Sequence, residues 1–153
     1  MKAKFVFLAL LFLPQMVSCQ TLPVEPVPDW ASYATAAVNP TIAAVQAFRS
    51  EHRWCRIGQL GLSELVVNGS TLTLKHFIRS ARPCLGCPPD GFPSGHTANS
   101  VIGISSGWQV GMTFPVSTAG LRMAAHRHTP MQVLTGALLG AGSEYVGHLL
   151  RCE

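Results

Sequence analysis

With 153 residues, 48% of them hydrophobic and 12% charged, the chain has room for one domain and is more apolar than most soluble proteins. Its formal charge of +4 rests on 11 basic and 7 acidic residues, but Lys2 and Lys4 fall in the first 18 residues, and without that stretch the balance is 9 against 7. So neutral a body excludes recognition of nucleic acid or of an anionic membrane by bulk charge alone.

The first segment pairs a basic start, Met1-Lys-Ala-Lys4, with an apolar run over residues 5–13. That run is too short to span a bilayer, and the layout is that of a secretory signal over residues 1–18. Met16-Val-Ser-Cys19 is similar to a bacterial lipoprotein signal, apart from methionine where leucine is usual. Cys19 is therefore expected to be lipidated, with simple cleavage and release as the alternative, and the protein to be exported to the periplasm. Residues 20–30, QTLPVEPVPDW, hold three prolines and no apolar period, which predicts an extended tether over residues 19–38 ahead of a domain at 39–153. In an oxidising compartment Cys55, Cys84, Cys87 and Cys152 make an even set, for which three pairings exist. The preferred pairing joins Cys84 to Cys87 and leaves Cys55 to tether the C-terminus through Cys152.

Beyond the tether the signals are helical, and the expected fold class is all-α, a compact bundle of about five helices. Asn39-Pro40 supplies an N-cap and a proline for a helix to about residue 55. Residues 58–67 are ambiguous, and Ser70 caps a second helix to residue 81, before Arg82-Pro83. A third helix is expected from Pro93-Ser94 to about residue 112, with Gly103, Gly107 and Gly111 along one face for close approach. A fourth follows over 117–126. The fifth opens at Thr129-Pro130 and runs to about residue 150, with Gly136 and Gly140 repeating the small-residue spacing, while Glu144 and His148 mark it as a packed helix and not a membrane span.

Three clusters carry the chemistry. Lys75, the only lysine once the first 18 residues are set aside, is followed seven positions on by Arg82-Pro83; next comes Pro93-Ser-Gly-His96; last, Arg122 precedes His128 by six. Seven residues are about two helical turns, so Lys75 and Arg82 are expected on one face. Ser94, Gly95 and His96 are expected in a first helical turn, where unpaired amides and the dipole favour an anion.

In order and spacing the clusters resemble the type 2 phosphatidic acid phosphatase superfamily, over residues 75–132. The resemblance implies a metal-independent phosphatase needing no cofactor. His128 would be the nucleophile and His96 the acid for the leaving group. Lys75, Arg82, Ser94, Gly95 and Arg122 would bind the phosphoryl oxygens of a lipid or small-molecule substrate, beside a membrane if Cys19 is lipidated. Imidazole suits both tasks because it gains and loses protons near neutral pH. Two positions depart from the pattern: Leu121 stands where the family has serine, and Gln132 where it has the aspartate that orients the nucleophile. Exchanging an orienting carboxylate for an amide costs on the order of 10⁴ in turnover in a serine protease, which raises a degenerate phosphate binder as the rival reading. Gln132 also completes a capping box with Thr129, a role in competition with orienting His128. Zinc held by Cys84, Cys87, His126 and His128, a redox role for Cys84 and Cys87, and a vanadate-dependent haloperoxidase are further alternatives. His52, His76 and His148 read as ordinary surface or core residues.

Overall fold

The computed structural model describes residues 29–84, 86–106 and 111–152. The signal, Cys19, the tether up to residue 28 and Gly107 lie outside them. Among the described residues the chain is an all-α bundle without a strand, made of five α-helices: α1 (Asp29–Arg49), α2 (Arg53–Phe77), α3 (Gly95–Val101), α4 (Thr113–Ala124) and α5 (Pro130–His148). A short 3-10 turn, Ile104–Ser106, follows α3. The shortest helix, α3, is central and packs against the other four.

Close approach is achieved with small residues. A Cβ added at Gly136 would run into the Ser94 carbonyl, and one at Gly140 into the Ala98 carbonyl and, at 2.9 Å, Val101 Cβ. The expected glycine spacing on the last helix thus lets α5 lie directly on α3. The apolar centre is modest, Val67, Ala98 and Ile102 with Leu60 beside them. Much of the remaining interior is hydroxyl-bearing, and several of these groups are satisfied within their own helices: Ser63 donates to the Gln59 carbonyl at 3.0 Å, Ser100 to Thr97 at 2.7 Å and Ser143 to Leu139 at 2.8 Å, while Thr118 reaches across to Thr35 of α1 at 2.8 Å. Large apolar side chains face outward instead, among them Trp54, Leu65, Leu72, Phe77, Leu138 and Tyr145. No helix of the described residues is long and apolar enough to cross a membrane.

Several boundaries differ from expectation, each for a tertiary reason. The helix expected to open at Asn39-Pro40 opens at Asp29, so residues 29–38 are helix and not tether. Asn39 is no cap. Fully inside the bundle, its amide donates to the Ser100 carbonyl (2.7 Å) and the Gly111 carbonyl (2.8 Å), fastening α1 to the segments at either end of the turn after α3. Cys55 lies in α2, which absorbs residues 58–67 and Ser70 and stops at Phe77, not at residue 81. Its continuation is denied by competing bonds: the Ser80 carbonyl accepts from the Gly91 amide (2.9 Å) and the Ala81 carbonyl from the Gln132 amide group (2.9 Å). The third helix ends at Val101 because Gly103 takes a left-handed φ of 86°, a helix-ending conformation that costs glycine little. Any Cβ there would sit 2.7 Å from both Ala43 Cβ and the Asn39 carbonyl. Gly103 and Gly111 therefore do not share a helical face.

Both disulfides pair as preferred, Cys55 with Cys152 across 97 residues and Cys84 with Cys87 across three. With their sulfurs joined, Cys84 and Cys87 present no thiolates to a metal.

Candidate active site

The third cluster is built by a helix ending. After α4 the Arg127 amide donates to the Arg122 carbonyl and the His126 amide to the Met123 carbonyl, each at 3.0 Å. His126 between them has a φ of 52°. This is the double bond pattern of a Schellman cap, with a histidine in the left-handed position usually held by glycine. The cap folds the chain back, so that the His128 amide also meets the Arg122 carbonyl (3.3 Å) and the His128 ring comes to the Arg122 guanidinium, Nε2 to Nη2 at 3.5 Å. A spacing of six residues between arginine and histidine thus becomes spatial contact.

His128 is buried, and its other ring nitrogen has two oxygens facing it: the Gly91 carbonyl at 2.8 Å from Nδ1, and Gln132 Oε1 at 3.3 Å. The Gln132 amide cannot be reversed. Its Oε1 accepts from the Thr129 backbone amide (3.0 Å), while its Nε2 donates to the Ala81 carbonyl (2.9 Å) and meets Ser80 Oγ (3.0 Å). Because both neighbours of His128 Nδ1 are acceptors, the neutral ring carries its proton there. The lone pair is left on Nε2, beside Arg122. Capping and orientation, expected to compete for Gln132, are satisfied by the same oxygen, since the capping box is complete as well.

Gly91 is the residue that sequence reasoning missed here. A Cβ at this position would lie 2.6 Å from Gln132 Nε2, so glycine lets the backbone reach both Gln132 and His128. Nothing in a loop reading of residues 83–93 signals that.

A cavity of about 460 Å³ is lined by Lys75, Arg82, Gly95, His96 and His128, with Tyr33 and Asp90 on its walls. Three of the predicted residues, Arg122, Ser94 and Gln132, are not in its lining. Arg122 and Gln132 touch His128 from behind and beside it. Ser94 is wholly buried, its hydroxyl 3.0 Å from Thr97 Oγ1 and its amide bonded to the Gln132 carbonyl at 2.9 Å, so its amide is occupied in positioning α3. Lys75 stands in the last turn of α2, whereas Arg82 lies beyond its end; the two share the cavity through the loop and not through a common helical face.

Two carboxylates that the sequence did not single out organise the cations. Asp90 accepts from Arg82 Nε at 2.8 Å, and its backbone carbonyl accepts from Lys75 Nζ. Asp29 pairs with Arg122 (3.3 Å) and Arg127 (2.7 Å). Four cations, Lys75, Arg82, Arg122 and Arg127, face these two acids, leaving the neighbourhood at +2 with both histidines neutral. Burial works against the charged form of Asp90, but the Arg82 bond and charge, and Lys75, hold its carboxyl below the ordinary range.

The histidines respond in the opposite sense. Burial first, then the Arg122 charge, lowers His96 to about 4; Arg82 and Lys75 add to this and Asp29 opposes it. Burial, Arg122 and Arg82 likewise bring His128 to about 4, against the bonds from Gly91 and Gln132. Lys75 is lowered by burial, with Asp90 opposing. His96 packs edge-on against Tyr33, ring centres 4.2 Å apart, and its Nε2 is buried without a partner, as is Arg122 Nε. The surplus positive charge and the unpaired ring nitrogen of His96, which lines the cavity, suit a dianionic oxyanion.

Comparison with protein-family models, with curated proteins and with solved structures finds no match to this chain.

Proposed function

We propose that the protein is a metal-independent phosphatase of the type 2 phosphatidic acid phosphatase kind, its bundle corresponding to that family's core. The observation that carries the reading is the fixed tautomer of His128, with the Nε2 lone pair in a cationic cavity shared with a second histidine, His96. His128 Nε2 attacks the phosphorus, the bond to the leaving oxygen breaks, and His96 delivers the proton that the departing alkoxide takes up. Water then gives a proton back to His96 and attacks the phosphohistidine, releasing inorganic phosphate and restoring His128. Lys75 and Arg82 stabilise the equatorial oxygens from the cavity wall, and Arg122 adds its charge from beside His128. Burial and the neighbouring cations hold both rings low, and a bound phosphate dianion raises His96 so that it can act as the acid.

The exposed aromatic side chains, with Tyr33 of α1 in the wall of the cavity, favour a phosphate borne on an apolar substrate. Two disulfides favour export.

A second reading, a phosphate binder without efficient turnover, is favoured by one feature: Gln132 brings no charge to stabilise the imidazolium that forms during transfer. Release of inorganic phosphate from p-nitrophenyl phosphate and from dioctanoyl phosphatidic acid distinguishes the two. The expected result is turnover by the wild type, a phosphohistidine trapped on denaturation, and loss of at least about 10³-fold on His128→Ala. Phosphate binding with no turnover on either substrate supports the binder, and neither binding nor turnover overturns both.

A further inference from the structure

A second cavity, of about 370 Å³, opens where the C-terminal half of α1, the first turns of α2, the 3-10 turn and the end of α5 meet, and it shares no lining residue with the histidine cavity. Its size is that of a small-molecule site, roughly 300–1,000 Å³. Glu144, 6% exposed, stands in its wall. One carboxylate oxygen is satisfied: Oε1 accepts from the Ser105 amide (3.0 Å) and the Ser105 hydroxyl (2.7 Å), which in turn lies 2.9 Å from His148 Nε2. The other, Oε2, is buried with no hydrogen-bond partner among the described residues. Folded proteins rarely leave a buried carboxylate oxygen without a donor, because its desolvation goes uncompensated.

The only basic group within ion-pair distance of Glu144 among the described residues is His148, at 3.8 Å from the oxygen already satisfied. Arg56 lines the same cavity from α2, exposed, with its guanidinium bonded to Gln59 Oε1 at 3.3 Å and to no carboxylate among the described residues. The cavity wall therefore holds a carboxylate with one oxygen unused and an exposed guanidinium paired with no carboxylate among the described residues. No group of three or more His, Cys, Asp or Glu able to hold a metal ion occurs among the described residues, so the donor set fits an ammonium better than a metal.

We infer that this cavity binds a small zwitterion of the amino-acid class, its ammonium donating to Glu144 Oε2 and its carboxylate paired with Arg56. The inference is independent of the proposed phosphatase chemistry, since it uses none of the same residues.

Titration of the folded protein with alanine, leucine and glutamine one at a time, with propylammonium and propionate as half-ligands, and followed by amide NMR, tests it. At least one amino acid is expected to bind, shifting the Arg56, Ser105, Glu144 and His148 amides and leaving Gly95 and His128 unmoved. Each half-ligand is expected to bind at least about tenfold more weakly, and Glu144→Gln and Arg56→Ala each to weaken the amino acid by about tenfold or more. Arg56 is exposed, so its variant keeps the test open even if Glu144→Gln fails to fold. No binding by any of the three amino acids at millimolar concentration, equal binding of propylammonium, or full affinity in Arg56→Ala overturns the inference.

Discussion

At the scale of single residues, the site depends on two positions whose side chains do more than their types announce. Gln132 closes the cap of α5, points an oxygen at His128 and holds the extended strand of backbone at residues 80–81. A carboxylate in its place would set a negative charge against the Ala81 carbonyl, so an amide suits the local loop. His126 serves the backbone. Its left-handed φ of 52° costs a non-glycine residue about 1 kcal/mol, and His126→Gly is expected to raise the unfolding free energy by roughly that amount in urea titration, with phosphate release unchanged. A loss of activity in that variant would give His126 a role beyond the turn. The buried rings also make stability depend on pH. In the unfolded chain both histidines titrate near 6.5, and in the fold at about 4. Between these values the unfolded chain binds more protons, so the stability these rings contribute is complete above about pH 6.5 and is lost as pH falls toward 4. Thermal melts in phosphate-free buffer should show a lower midpoint at about pH 4.5 than at about pH 7, and equal midpoints would contradict the buried, neutral state of the rings.

At the scale of elements, α5 is placed by its glycines. Gly136 lies on the Ser94 carbonyl, whereas Gly142, on the same helix, has open space where a Cβ would go. Gly136→Ala is expected to destabilise by about 1–3 kcal/mol and to lower activity by displacing the start of α3. Gly142→Ala is expected to stabilise by about 0.5–1 kcal/mol through helix propensity alone. Chemical denaturation of the pair checks this, and similar effects from both would mean that helix contact is not what Gly136 provides. The spacing of Gly136 and Gly140 was legible in the sequence because it repeats along a helix with a capped start. The ends of α2 and α3 were not legible, because they are set by partners remote in sequence: the Gly91 amide and Gln132 claim the carbonyls after Phe77, and Ala43 and Asn39 crowd Gly103.

For the whole molecule, a small apolar centre and many outward-facing large side chains leave stability unusually dependent on its cross-links. The Cys55–Cys152 bond closes a loop of 97 residues and joins the start of α2 to the chain's end. Such a loop is worth about 4–5 kcal/mol in the chain-entropy account, so Cys55→Ser with Cys152→Ser should lower the unfolding free energy by about 2–5 kcal/mol. Removing the Cys84–Cys87 bond, which spans three residues, should cost much less, and denaturant midpoints of the two double variants give the comparison. The sequence by itself determined the helical class, the three clusters with their eight named residues and the small-residue spacing of the last helix, because each is written in local spacing or in residue type, whereas for the cysteines it left three pairings among which the structure chose. Only the tertiary structure decided that Asp29 and Asp90 partner the cations, that the Ser94 amide is bonded to the Gln132 carbonyl, and that the Gly91 carbonyl holds the His128 proton. The contacts of Asp29 and of His128 with Gly91 join residues 37 to 98 positions apart, across elements whose packing no local pattern encodes, and those of Asp90 depend on how its loop folds back over the end of α2.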